Sequence, residues 1–265
     1  MSYGSPLFER VAGVTPLVIS LPHTGTELPT EVAQHMTPRG RGVEDTDWHV
    51  EKLYAFAKAA GAAWLKPRYS RYAIDLNRPP GDEALYPGQA STGLCPLLTF
   101  DGAPLYASHT PDAAEIARRR ERYWAPYHAA LAQLLTESRA RHGFAVLLDA
   151  HSIRSHVPRL FDGRLPDINL GTNDGRSCGS ALAASLVKCL GAQDRFTHVL
   201  NGRFKGGYIT RHYGVPAEGV HAMQIELAQS AYMDELGTLY EERRATALIG
   251  LLHEVVALLA DFKPH

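Results

Sequence analysis

The segment Phe144–Asp149 reads FAVLLD, a continuous apolar run with no polar residue at alternate positions. A half-buried strand alternates apolar and polar side chains. A run without alternation belongs to a strand covered on both faces, and such strands are characteristic of parallel sheets. The flanking pattern agrees. Pro16–Ser20 (PLVIS), Ala63–Pro67, Phe196–Leu200 and Met223–Leu227 (MQIEL) read as further strands. Tyr72–Leu76 reads as a strand or extended segment. Helical patterns lie between them: Trp48–Ala60, stopped by Gly61; Pro111–His142, with Pro126 a candidate kink; Gly179–Leu190; and Tyr232–Phe262. Residues 79–110 and 153–178 read as irregular excursions. The expectation is one α/β domain spanning residues 1–265, a mostly parallel mixed sheet with helices on both faces. In such sheets ligands sit at the carboxyl ends of the strands.

Composition narrows the function classes. The formal net charge is −1, so no bulk field favours nucleic acid or an anionic membrane. The chain has no apolar run of 18 residues and no basic start followed by an apolar stretch, so neither a membrane span nor a signal peptide is expected. Three cysteines, Cys95, Cys178 and Cys189, lack CxxC spacing, which disfavours a disulfide framework or a cysteine metal site and suits a cytoplasmic location. A Cys–His nucleophile pair stays open at this stage. Ser152 follows His151 but no GxSxG elbow exists, and the glycine-rich stretches match neither a P-loop nor a dinucleotide fingerprint.

The residues that carry chemistry fall near the predicted strand ends. His23 follows the first apolar strand in ISLPHTG, and His151 follows the FAVLLD strand in LLDAHS. Two histidines so placed can converge on one metal, with a carboxylate from the DTDWH segment, Asp47 preferred over Asp45. The plainer alternatives are histidines that only hydrogen-bond and aspartates that only cap a helix. Glu226 sits inside an apolar strand, on the same face as Gln224. A carboxylate there needs either a salt-bridge partner or a task, and the task proposed is general base.

Two basic loops suit small anions: Arg71, Asn77 and Arg78 in SRYAIDLNRPP, and Arg203, Lys205, Arg211 and His212 in NGRFKGGYITRHYG. Arg154 and Arg159, near His151, are further candidates. Arg118, Arg119, Arg120 and Arg122 read as a solvated helix face.

The motifs PHTG, DTDWH, SRYAIDLNRPP, LLDAHSIRSHVPRLFDGRLPDINLGTN, LNGRFKGGYITRHYG and QIELAQSAYM together resemble the N-formylglutamate amidohydrolase (deformylase) family, from about Pro16 to Asp261. That family is similar, at a distance, to the zinc carboxypeptidases. The resemblance implies hydrolysis of the formyl amide of N-formyl-L-glutamate to L-glutamate and formate, the last step of a histidine-degradation route. It implies one Zn²⁺, with other divalent metals able to fill such a site. It supports His23 and His151 as ligands with an acidic ligand between them. Position 26 is Thr, where a carboxypeptidase His-x-x-Glu motif would carry the glutamate, so Asp47 is favoured, with Asp45 and Glu27 behind it. The DLNR string implies that Asn77 and Arg78 hold one substrate carboxylate. Arg203 with Arg211 is then assigned the other, Arg71 the developing oxyanion, and Glu226 the base. The expected partner is a small molecule with two carboxylates. The alternatives are a related zinc amidohydrolase acting on another acidic N-acyl amino acid, and a non-catalytic acidic-ligand-binding module of the same fold.

Overall fold

The protein is described by a computed structural model covering residues 6–83 and 92–264. Residues 84–91, inside the expected 79–110 excursion, lie outside the described residues, as does the extreme N-terminus.

The FAVLLD run becomes β4 (Ala145–Ile153), buried along its whole length. The other strands of the main sheet are β1 (Phe8–Val11), β2 (Leu17–Ser20), β3 (Ala63–Pro67), β5 (Ile168–Gly171), β6 (His198–Leu200) and β7 (Val220–Ala228). They form one seven-stranded sheet in the order β1-β3-β2-β4-β7-β5-β6. The pairings β2–β3, β2–β4, β4–β7 and β5–β6 are parallel; β1–β3 and β5–β7 are antiparallel. The helices are α1 (Thr30–Ala33), α2 (Pro38–Arg41), α3 (Val50–Leu53), α4 (Phe56–Ala59), α5 (Ala113–Arg119), α6 (Ala125–His142), α7 (Ser180–Gly191), α8 (Tyr208–Tyr213) and α9 (Glu242–Asp261). A small hairpin of β8 (Met233–Asp234) and β9 (Leu239–Tyr240) precedes α9.

The two-residue period of the strands divides the core. Val146, Leu148, Met223, Ile225 and Leu227 face one side, packed with residues of α7 and α9. Leu147, Ala222 and Val18 face the other, packed with Tyr127, Leu131 and Leu134 of α6. Towards the carboxyl ends of β2, β4 and β7 this second face changes character. The apolar residues give way to Ser20, Asp149, His151, Gln224 and Glu226, all buried.

Several elements differ from the reading of the sequence. The expected helix over Trp48–Ala60 is two single turns, α3 and α4. The N-cap of α3 is His49, in a left-handed conformation without a side-chain cap bond, so neither Asp45 nor Asp47 is spent on capping. Tyr72–Leu76 forms turns, and β5 lies inside the stretch expected to be irregular. The segment before Glu242 is the β8–β9 hairpin rather than helix, because α9 begins only where its apolar stripe begins. The long helix is continuous from Ala113 to His142, but Arg120–Trp124 form a π turn immediately before Pro126. Pro126 has no N–H and its ring would collide with the carbonyl four residues back; the wider turn gives it room. β4 runs past Asp149 to Ile153, so His151 lies within the strand and not beyond it.

Ile225 is fully buried between β4 and β5. Ile225→Ala should cost about 2–5 kcal/mol of folding stability. Urea denaturation monitored by circular dichroism checks this, and an unchanged midpoint would contradict the packing described.

Candidate metal centre

The site grows from the three parallel strands at the middle of the sheet. β4 and β7 pair with His151 opposite Glu226 and Asp149 opposite Gln224. β2, on the other side of β4, delivers His23 three residues past its end. The loop carrying Asp47 is tied back to this point by the Asp47 N–H, which donates to the His23 carbonyl (3.0 Å). Asp47 Oδ2 accepts from the Ser152 N–H (3.1 Å) and lies 2.9 Å from His151 Nδ1 and 3.7 Å from His23 Nδ1. One donor atom from each of His23, Asp47 and His151 thus falls within 4.8 Å of the other two, and all three residues are buried.

The remaining nitrogens of both rings are anchored to carboxylates that the reading of the sequence did not single out. His23 Nε2 meets Asp75 Oδ1 at 2.7 Å, and His151 Nε2 meets Asp149 Oδ2 at 2.9 Å. Arg71 Nη1 lies 3.2 Å from His23 Nδ1 and can only donate, so that nitrogen presents its lone pair and Nε2 carries the proton given to Asp75. This carboxylate–histidine arrangement is the one that orients metal ligands. A signal for Asp149 was present: it stands two residues before His151 and so shares its face of the strand. Asp75, in YAIDL, had only its apolar surroundings to mark it.

Charge supports the same conclusion. Asp47, Asp75, Asp149 and Glu226 are buried around this point, with the buried guanidinium of Arg71 among them. Protons make up part of the difference. Burial works against charge on His151, but Asp149 and Asp47 outweigh it and hold its pKa well above the usual value. Burial pushes the Glu226 carboxyl up to about 8, His151 opposes this, and Asp47 adds to it. Burial, with Arg71 beside it, lowers His23. Two imidazoles, one carboxylate and an excess of negative charge fit a divalent cation.

Among the other acidic candidates, Asp45 is turned away. Its Oδ2 accepts from Tyr72 Oη and from the Phe100 N–H, each at 2.7 Å. Glu27 lies at the surface, paired with Arg68 at 2.6 Å. Glu226 Oε2 accepts from Gln224 Nε2 (3.0 Å), and Gln224 Oε1 accepts from the Gly207 N–H (2.8 Å). The expected face-sharing of Gln224 and Glu226 is therefore present as a hydrogen bond.

A cleft opens over the group, lined among others by Arg71, Asn77, Arg78, Arg203 and Glu226. Arg71 Nη2 is held by Asp75 Oδ2 at 2.6 Å, with its guanidinium over the Phe100 ring at 4.8 Å. Arg78 Nη2 donates to Thr92 Oγ1 (3.3 Å), and Arg203 Nε to the Leu160 carbonyl (2.7 Å). Arg211 is outside the residues lining the cleft and gives its Nε–H to the Gly206 carbonyl (2.8 Å). Asn77 lines the cleft, but its amide is engaged with the protein: Nδ2 donates to Asp149 Oδ2 (3.0 Å) and Oδ1 accepts from the Ile209 N–H (2.8 Å). Arg154 and Arg159 serve a neighbouring loop, binding Asp101 and the Phe100 carbonyl. Arg119, expected on a solvated face, is buried with Glu115 and Tyr106. Burial pushes the Cys95 thiol up to about 11 and that of Cys178 to about 12, and no cysteine lines the cleft among the described residues. A thiolate nucleophile is thereby disfavoured.

The family model for N-formylglutamate amidohydrolase matches residues 15–233. An N-formylglutamate deformylase of Pseudomonas aeruginosa is 54% identical over 224 residues, 84% of each chain. One of Pseudomonas putida is 50% identical over the same length and shares. The crystal structure of an N-formylglutamate amidohydrolase from Ralstonia eutropha superposes with a TM-score of 0.80 at 28% identity, covering 96% of this chain and 97% of that one. A gene product of Agrobacterium tumefaciens shares the fold, with a TM-score of 0.75 at 18% identity over 96% and 94% of the two chains.

The geometry around His151 predicts that chelator-stripped protein takes up a divalent ion and that Asp149→Asn weakens this uptake by about 10–100-fold. Isothermal titration with Zn²⁺ checks it; equal affinity in both proteins would remove Asp149 from the support of the centre.

Proposed function

The chain belongs to the N-formylglutamate amidohydrolase family, and from that membership we propose that it hydrolyses the formyl amide of N-formyl-L-glutamate to L-glutamate and formate, with zinc as its metal and the last step of a histidine-degradation route as its setting. The observation that carries the chemistry is the position of Glu226, buried and paired across β4–β7 with His151, one of the three grouped donors. His23, Asp47 and His151 would hold Zn²⁺, and the ion when bound would supply Lewis acidity that stabilises negative charge on oxygen and eases loss of a proton from water.

The residues of the chain do the rest. Glu226 takes a proton from the attacking water as its oxygen bonds to the formyl carbon. Its carboxyl ionises more readily once positive charge sits among the neighbouring donors. Arg71 stands beside His23 and lines the cleft, and it is assigned to steady the oxyanion that develops on the formyl oxygen. Glu226 then returns its proton to the glutamate nitrogen as the C–N bond breaks. Arg78 and Arg203, from two different loops that line the cleft, are assigned the two substrate carboxylates. Arg211, bonded to the Gly206 carbonyl, supports the second loop instead of touching substrate. An analogue lacking a carboxylate forgoes one arginine–carboxylate contact in the cleft, so selectivity for the dicarboxylate follows.

Formate release from N-formyl-L-glutamate is expected to vanish on chelation and return with Zn²⁺, while N-acetylglutamate and N-formylaspartate react more slowly. Turnover indifferent to chelation would refute the metal reading, and a preference for either analogue would refute the substrate. Glu226→Gln should retain zinc while kcat falls by about 10²–10⁴-fold. Steady-state kinetics beside metal analysis tests this; an undiminished kcat would remove Glu226 as the base.

A further inference from the structure

Four polar groups of one cleft residue reach both halves of the centre. The Asn77 backbone N–H donates to Asp75 Oδ1 (2.8 Å), the same oxygen that meets His23 Nε2. Its side-chain Nδ2 donates to Asp149 Oδ2 (3.0 Å) and lies 2.9 Å from His151 Nε2. Its side-chain Oδ1 accepts from the Ile209 N–H (2.8 Å) and its backbone carbonyl from the Tyr208 N–H (3.3 Å), both in the first turn of α8. From there the connection continues to the base, because the Gly207 N–H is held by Gln224, which also holds Glu226.

We infer that Asn77 is a positioning residue, which locks the two carboxylate–histidine pairs and the glycine loop into one register, and that it does not bind a substrate carboxylate. Each of its polar atoms already has a protein partner. Turning the amide towards a ligand would strip Asp149 of a donor and leave the buried Ile209 N–H unpaired, and a buried group left so is costly. Packing closes the same escape. A Cβ at Gly207 would overlap the Asn77 amide, so the loop backbone lies directly against it. Gly207 has an ordinary φ of −80°, so it is space and not backbone conformation that calls for glycine there. Asn77 thus acts on the reaction through Asp149, Asp75 and the loop. The arrangement explains how a residue remote from β2 keeps His23 and His151 aligned with each other.

The inference rests on the proposed metal-dependent hydrolase, and its test separates the two. Asn77→Asp preserves shape and the acceptor for Ile209, but removes the donor and sets a carboxylate against Asp149. Zn²⁺ affinity, measured by competition with a chromogenic chelator, should fall by about 10–100-fold. At saturating zinc, KM for N-formyl-L-glutamate should stay within about threefold of the parent, since no substrate contact is lost. Gly207→Ala, which presses on the same amide without deleting a donor, should weaken zinc binding in the same direction and stands in if Asn77→Asp does not fold. Unchanged zinc affinity in both variants overturns the inference, whether KM is constant or raised; a KM raised tenfold or more places the amide on the substrate. If the parent chain itself binds no zinc, the reading of the centre fails and this inference with it.

Discussion

The parallel pairing of β4 with β7, His151 beside Glu226 and Asp149 beside Gln224, is the contact on which the site depends. Adjacent strands lie about 4.8 Å apart, so residues in register on one face are obligatory neighbours. Because side chains alternate, one face of these strands, apolar apart from His221 and Ser152, packs under α7 and α9, while the other turns polar near the carboxyl ends. A slip of β7 by one residue against β4 would send Glu226 to the opposite face, into the apolar core and away from His151. The hydrophobic pattern that stabilises the sheet is therefore also what aligns Glu226 with the metal-ligand candidates.

Burying so many ionisable groups is expensive, and the structure offsets the cost in two ways. The first is partner supply. Asp149 accepts from Ser20, Asn77 and His151, and Asp75 is gripped by Arg71 and His23. Against its burial, Arg71 and His23 hold the Asp75 carboxyl well below the usual range. The second is protonation. His151 is raised by the carboxylates Asp149 and Asp47 against its burial, while Glu226 is raised first by burial and then by Asp47. A divalent cation and these protons answer the same electrostatic demand, so the donor set and the titration behaviour are two expressions of one arrangement.

The arginines show how position separates similar residues. Arg71, Arg78 and Arg203 line the cleft, whereas Arg211, in α8 just after the glycine-rich loop that carries Arg203, donates to the Gly206 carbonyl of that loop. Arg119 belongs to a run that reads as solvated, yet it is buried and bonded to the Ala73 carbonyl and Tyr106 Oη. It thereby ties the long helix to the segment that carries Asp75 and Asn77.

Local pattern made much of this protein legible. An unbroken apolar run marks a doubly covered strand, and a polar residue inside or just past such a run marks a candidate; these rules found β2, β4 and β7 and singled out His23, His151 and Glu226, which the fold brings together, and the motifs identified the family. Tertiary structure alone separated Asp47 from Asp45 and Glu27. All are plausible donors by type, and only the distance to His151, 104 positions away, distinguishes them. It alone brought Asp75 and Asp149 behind the two imidazoles and closed the Asn77 amide on protein partners. Periodicity reports which way a side chain faces within its own element, because that depends on backbone geometry over a few residues. Which groups meet across the cleft depends on how distant segments pack, and no local pattern carries that information.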